Sequence, residues 1–210
     1  MSYKSKVRWS RLLGTATATF LMSFGFQNWK ILQTEASDIP KGNLIAQDVS
    51  AIWEKGSFPV ENFESYTSPF GYRINPVTRV RQFHNGLDLA APLGSYIRSW
   101  WGGKVTELSD DGACGTSVTI QSGAWEHIYC HMEGSVETSS QGTYLIDRPG
   151  GIQLAEGQDV PAGGRIGRVG MSGRTTGPHL HWTLKYNGNY VDPALVLKEM
   201  FKRQTISSKS

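Results

Sequence analysis

From Thr67 to about Val191 the chain is a succession of short β-favouring runs, each closed by Gly, Pro, Asn or Asp. No stretch of ten or more residues in that span has a helical period. Such punctuation leaves hairpins and meanders as the available connections, and these build an antiparallel, all-β domain. Candidate strands cover 82–89, 94–100, 104–108, 117–121, 127–132, 143–146, 165–169 and 180–186. Asp192-Pro193-Ala194 can start a short closing helix over 195–201. The predicted domain spans 67–199, and 200–210 reads as a polar tail. Residues 37–66 show no sustained period and read as a linker or a segment lying across the domain, with Trp53, Phe58 and Phe63 able to dock.

Ahead of the linker, Lys4, Lys6, Arg8 and Arg11 precede a mildly apolar run over 12–26. That order predicts a secretory signal over 1–36, or an uncleaved membrane tether. The run is shorter than the ~20 residues of a spanning helix. The formal net charge of +3 is misleading. Residues 1–36 hold five of the 21 basic and one of the 18 acidic residues, which leaves 16 against 17 in the body. A near-neutral body does not recommend a nucleic-acid partner. The expected location is extracytoplasmic: periplasm, envelope or medium. In such a compartment Cys114 and Cys130 suit a disulfide between neighbouring strands, with free thiols as the alternative.

The chemistry collects around Gly177-Pro178-His179-Leu180-His181-Trp182. In an extended strand His179 and His181 share a face and Leu180 and Trp182 take the other. His84 and Asp88, in Phe83-His84-Asn85-Gly86-Leu87-Asp88-Leu89, also share a face if that stretch is extended. One carboxylate and one imidazole make half of a zinc site, and His181 can complete it. Three protein ligands with a fourth position left to water is the arrangement of a catalytic zinc. His131 and His179 then lie nearby without a ligand duty. One can accept a proton while the other donates to a developing oxyanion, and the assignment between them stays open. No H-E-x-x-H is present, so a helix-borne glutamate base is excluded. His127 is read as a structural strand residue. Arg73, Asn75, Tyr129 and Arg174 are groove-lining candidates, though each suits a surface or turn position as well.

The blocks Ser68-Pro69-Phe70-Gly71-Tyr72-Arg73, His84-Asn85-Gly86-Leu87-Asp88-Leu89, Tyr129-Cys130-His131-Met132 and Pro178-His179-Leu180-His181-Trp182 appear in that order. Together they resemble the lysostaphin/LytM-type zinc metallopeptidases over roughly 67–195. The resemblance implies one zinc ion held by His84, Asp88 and His181, and a catalytic pair, His131 and His179, in a groove over an antiparallel sheet. It further implies a metalloendopeptidase acting on the peptides of bacterial peptidoglycan, with zinc-bound water as nucleophile. Two departures, Tyr96-Ile97-Arg98-Ser99-Trp100-Trp101 and the long connection 134–156, are expected to reshape that groove. The alternatives are a non-catalytic module that binds cell wall or activates another hydrolase, and a latent enzyme in which Asn43 or Asn62 of the linker enters the site.

Overall fold

The computed structural model describes residues 55–75 and 78–209. The expected signal or tether at 1–36 and the linker up to residue 54 therefore lie outside the described residues. The chain continues through β1 (Ser65–Ser68), β2 (Gly71–Ile74), β3 (Arg81–His84), β4 (Leu87–Ala90) and β5 (Tyr96–Arg98). Next come β6 (Gly103–Ser109), β7 (Ser117–Ser122), β8 (Trp125–Cys130), β9 (Ser135–Ser139), β10 (Gly142–Asp147) and β11 (Ile152–Ala155). β12 (Asp159–Val160), β13 (Arg165–Arg168), β14 (His179–Tyr186), β15 (Asn189–Val191) and α1 (Pro193–Ser207) complete it. Among the described residues the fold is an antiparallel β domain with one helix at its end. No helix among the described residues is long and apolar enough to cross a membrane.

The principal sheet runs β1-β4-β14-β8-β7-β6-β12, with β15 added to β14. Alternation sorts its side chains: Leu180, Trp182 and Leu184 of β14 align with Leu87 and Leu89 of β4 and with Tyr129 and His127 of β8. That face enters one buried cluster with Ile97, Ile166, Val196, Leu197 and Met200. Burying a large aliphatic side chain is worth about 1.5–3 kcal/mol, so this cluster dominates the favourable side of folding.

Several expectations need adjusting. The single strand predicted over 82–89 is two strands, β3 and β4, which belong to different sheets and turn at Asn85-Gly86. The helix begins at Pro193, with Asp192 Oδ1 accepting from Ala194 N (2.9 Å), and continues to Ser207 through what read as tail. Its length follows from anchoring: Val196, Leu197 and Met200 are buried, and Gln204 Nε2 donates to the Gly56 carbonyl. Ile97 and Trp100 enter the core instead of lining a groove. Residues 134–156 form a three-stranded sheet, β11-β10-β9. Asp147, almost fully buried, clamps this sheet to β13 through paired hydrogen bonds from Arg168 (2.6 and 2.7 Å), which hold its carboxyl below the usual range. Residues 57–61 lie along β5: Val60 is buried and bridges Ile97, and Glu61 pairs with Arg98 and Arg165.

His127 is wholly buried on the core face. Its Nε2 lies 2.7 Å from Ser122 Oγ and its Nδ1 2.8 Å from Tyr129 OH, which also accepts from Trp100 N–H (2.7 Å). A neutral imidazole satisfies both partners, and burial pushes its pKa down to about 3. Tyr129 is thereby a core residue, not a groove residue. Because the unfolded chain takes up a proton below about 6.5 and the folded one does not, stability from this residue is complete above that pH. It is lost as pH falls towards 3. In urea unfolding at pH 7.5 and pH 5, the wild type should lose about 2 kcal/mol more than His127→Gln. Equal losses in the two proteins would refute the assignment.

Candidate metal centre

β14 is the strand on which the site is assembled. Its register sets His181 directly opposite Asp88 of β4 on one side and Cys130 of β8 on the other. Cross-strand partners have Cβ atoms about 4.5–5.5 Å apart, so His181 and Asp88 meet without any loop to position them. His84 arrives from the end of β3. A Cβ on Gly86 would lie 2.7 Å from His181 Cε1 and from the Trp182 carbonyl, so the turn between His84 and Asp88 has to pass this close to β14.

The three potential ligand atoms converge. His181 Nδ1 lies 2.8 Å and His84 Nε2 3.1 Å from Asp88 Oδ1, and the two nitrogens are 3.0 Å apart. Tetrahedral zinc with bonds of ~2.0–2.1 Å would separate its ligands by about 3.3 Å, close to what is observed. The outer nitrogens are engaged: His84 Nδ1 donates to the Pro69 carbonyl (2.7 Å), and His181 Nε2 is 3.1 Å from Thr183 Oγ1. With those nitrogens as donors, two neutral imidazoles turn lone pairs towards each other and towards a carboxylate oxygen. A shared proton or a cation relieves that contact, and the outer hydrogen bonds are those that orient metal-binding histidines. The donor set of two imidazoles and one carboxylate suits zinc.

Electrostatics agree with an ionised Asp88. Burial acts to raise its carboxyl, but hydrogen bonds and charge from His181 and His84 outweigh it and leave it well below the usual range. His181 is lowered mainly by burial, against the opposing pull of Asp88.

The other two histidines stand beside the trio. His179 Nδ1 donates to the Gly177 carbonyl (2.9 Å), leaving Nε2 3.6 Å from Asp88 Oδ1. His131 Nδ1 donates to the Ser172 carbonyl (2.9 Å), and its ring centroid is 4.9 Å from that of His179 and 5.9 Å from that of His181. Burial depresses the His131 pKa to about 4, the Ser172 carbonyl opposing it.

His131 reaches this position because strand alternation stops just before it. Its φ is +61°, an unusual conformation for a non-glycine residue, fixed by His131 N–H to the Cys114 carbonyl (2.9 Å) and Gly170 N–H to the His131 carbonyl (2.8 Å). The parity of His131 with His127 is thus broken, and the two take unrelated roles. Cys114 and Cys130 are joined in a disulfide, which ties the loop bearing that carbonyl to the end of β8.

Thr183, Ser172 and Pro69 orient the rings and were not singled out from sequence. Thr183 was findable, since it sits two residues past His181 on the same strand face. The other two act through backbone carbonyls, which no side-chain pattern announces. Arg73 Nη2 lies 4.0 Å from Asp88 Oδ2, whereas Asn75 donates to Gln82 Oε1 (2.7 Å) and Arg174 is exposed. Asn62 donates to Ser95 Oγ (3.4 Å), and Asn43 lies outside the described residues.

The chain is 34% identical over 153 residues to DD-carboxypeptidase/endopeptidase Mpg of Neisseria meningitidis, covering 71% of this chain and 31% of that protein. It is 32% identical over 137 residues to peptidoglycan DD-endopeptidase ShyA of Vibrio cholerae, covering 64% and 28%. The chain therefore spans about a third of the length of the curated relatives it matches. A zinc-containing peptidase from Vibrio cholerae superimposes with a TM-score of 0.52 at 30% identity, covering 64% of this chain and 37% of that one. The sequence model of peptidase family M23 matches residues 82–145 and 148–193. Those two segments make up more than half of the chain and contain all five clustered side chains, so the protein belongs to peptidase family M23.

Proposed function

We propose that this protein is an exported zinc endopeptidase that hydrolyses amide bonds between D-residues in the peptide cross-links of peptidoglycan. The observation carrying this reading is the convergence of His84 Nε2, Asp88 Oδ1 and His181 Nδ1 within 3.1 Å of one another, with two further histidines alongside. The family is zinc-dependent, and the donor set suits that metal. The specificity for DD bonds is carried over from the names of Mpg and ShyA. Export is supported by the basic and apolar start of the chain and by a substrate that lies outside the cytoplasm.

When bound, zinc supplies Lewis acidity, polarising the scissile carbonyl and lowering the pKa of an attacking water. The chain's own residues do the rest. Asp88 holds a negative charge in a largely buried position, and the Pro69 carbonyl and Thr183 keep His84 and His181 turned inward. His131, depressed by burial, is neutral near pH 7 and free to accept a proton at Nε2. His179, its Nδ1 held by Gly177, presents Nε2 on the same side and can donate to the developing oxyanion once protonated there. The two roles are exchangeable on chemical grounds, and both require the Nδ1 anchors.

His181→Ala and Asp88→Asn should lose bound zinc, measured by elemental analysis, and with it all digestion of purified peptidoglycan. His131→Ala should retain stoichiometric zinc and lose about 10²–10⁴-fold in turnover. Zinc-loaded wild-type protein that releases no peptide fragments would overturn the enzymatic reading and leave a binding module. Chelator treatment should abolish turnover and added zinc should restore it, whereas activity that persists in chelator at undetectable zinc content would refute metal dependence.

A further inference from the structure

Arg73 stands out because its guanidinium has no hydrogen-bond acceptor among the described residues. Alternation in the β2–β3 hairpin turns Tyr72 and Ile74 outward to solvent and Arg73 inward beside Asp88. Its neighbour across the hairpin is Gln82, whose Oε1 already accepts from Asn75 Nδ2 (2.7 Å). The Nε of Arg73 is buried and unpartnered, while about a quarter of the side chain stays exposed. Asp88 Oδ2 is 4.0 Å from Nη2, near enough for charge attraction and too far for a hydrogen bond.

A buried donor without a partner calls for an explanation. One that merely propped Asp88 would be expected to touch it. Asp88 has a second claim on its charge, since Oδ1 faces His84 and His181. A cation held there takes up the carboxylate's charge and leaves the guanidinium to attract another anion. Guanidinium presents its donors in a fork that matches a carboxylate in particular.

We propose that Arg73 is a specificity-determining residue that binds a free carboxylate on the substrate residue contributing the nitrogen of the scissile amide. This deepens the proposed function and rests on it. An amide formed on the α-amine of a D-residue carries such a carboxylate on the adjacent carbon, so Arg73 would recognise the residue on the leaving side of a DD bond. An amide lacking it would leave the guanidinium unpaired, which is a strong basis for discrimination.

The test uses two synthetic cross-linked peptide dimers that differ at one group. The carboxylate beside the scissile amide is free in one and a carboxamide in the other. Zinc-loaded wild type should prefer the free acid, and Arg73→Gln should reduce the ratio of kcat/KM for acid over amide by about 10- to 100-fold, mainly through KM. Arg73→Lys should recover part of the ratio, because an ammonium keeps the charge without the fork. Zinc content is measured in parallel. Binding of the acid dimer to zinc-loaded His131→Ala protein is followed by calorimetry, where adding Arg73→Gln should weaken binding. A fall in rate with the ratio intact, or loss of zinc from Arg73→Gln as the whole effect, would show that Arg73 acts through Asp88 alone and would overturn the proposal. Wild type that binds the acid better than Arg73→Gln but cleaves neither dimer would remove the peptidase reading and leave carboxylate recognition standing.

Discussion

The register between β14 and β4 is the constraint on which the site depends. His181 faces Asp88 because Trp182 faces Leu87 and Leu180 faces Leu89, and those apolar pairs belong to the buried core. Slipping the pairing by one residue would turn two histidines into the core and two large apolar side chains into the groove. The hydrophobic pattern of one sheet face therefore fixes the geometry of the histidine–aspartate cluster on the other. A site built across central strands needs little from flexible loops, which favours precise positioning of the first-contact side chains.

Around that pair the protein repeats one device. His84, His131 and His179 each donate Nδ1–H to a backbone carbonyl, at Pro69, Ser172 and Gly177, which leaves Nε2 as the other ring nitrogen. His181 alone is reversed, with Nε2 at Thr183 and Nδ1 towards Asp88. Backbone carbonyls are acceptors whatever the neighbouring side chains, so they select the tautomer without adding charge to the site. The unusual backbone of His131 belongs to the same design, because a regular strand would have kept its ring on the core face.

The fifth histidine shows how context, not residue type, assigns a role. His127 and His131 are four apart on one strand and its end, and both are pushed towards the neutral form by burial. His127 is closed in by Ser122, Tyr129 and the Trp100 ring, with no route to a ligand. Its neutrality serves packing. His131 instead lies beside His179 and His181, with ring centroids 4.9 and 5.9 Å away.

What the sequence determined by itself was composition-level and local. Punctuation by Gly, Pro, Asn and Asp dictated short antiparallel strands, and the alternation His179-Leu180-His181-Trp182 dictated which side chains share a face, because both follow from backbone sterics and a period of two. Chemistry-bearing residue types in ordered motifs were also readable, which is why His84, Asp88, His131, His179 and His181 were identifiable together. Tertiary structure decided the rest. His84 and Asp88 meet across a turn between two sheets and not along one strand, since the close approach of Gly86 to His181 is a contact between residues nearly a hundred positions apart. The core roles of Ile97, Trp100 and Tyr129, the docking of 57–61 on β5 and the approach of the Arg73 guanidinium to Asp88 are likewise long-range outcomes. They depend on which surfaces fold against one another, and local propensity carries no record of that.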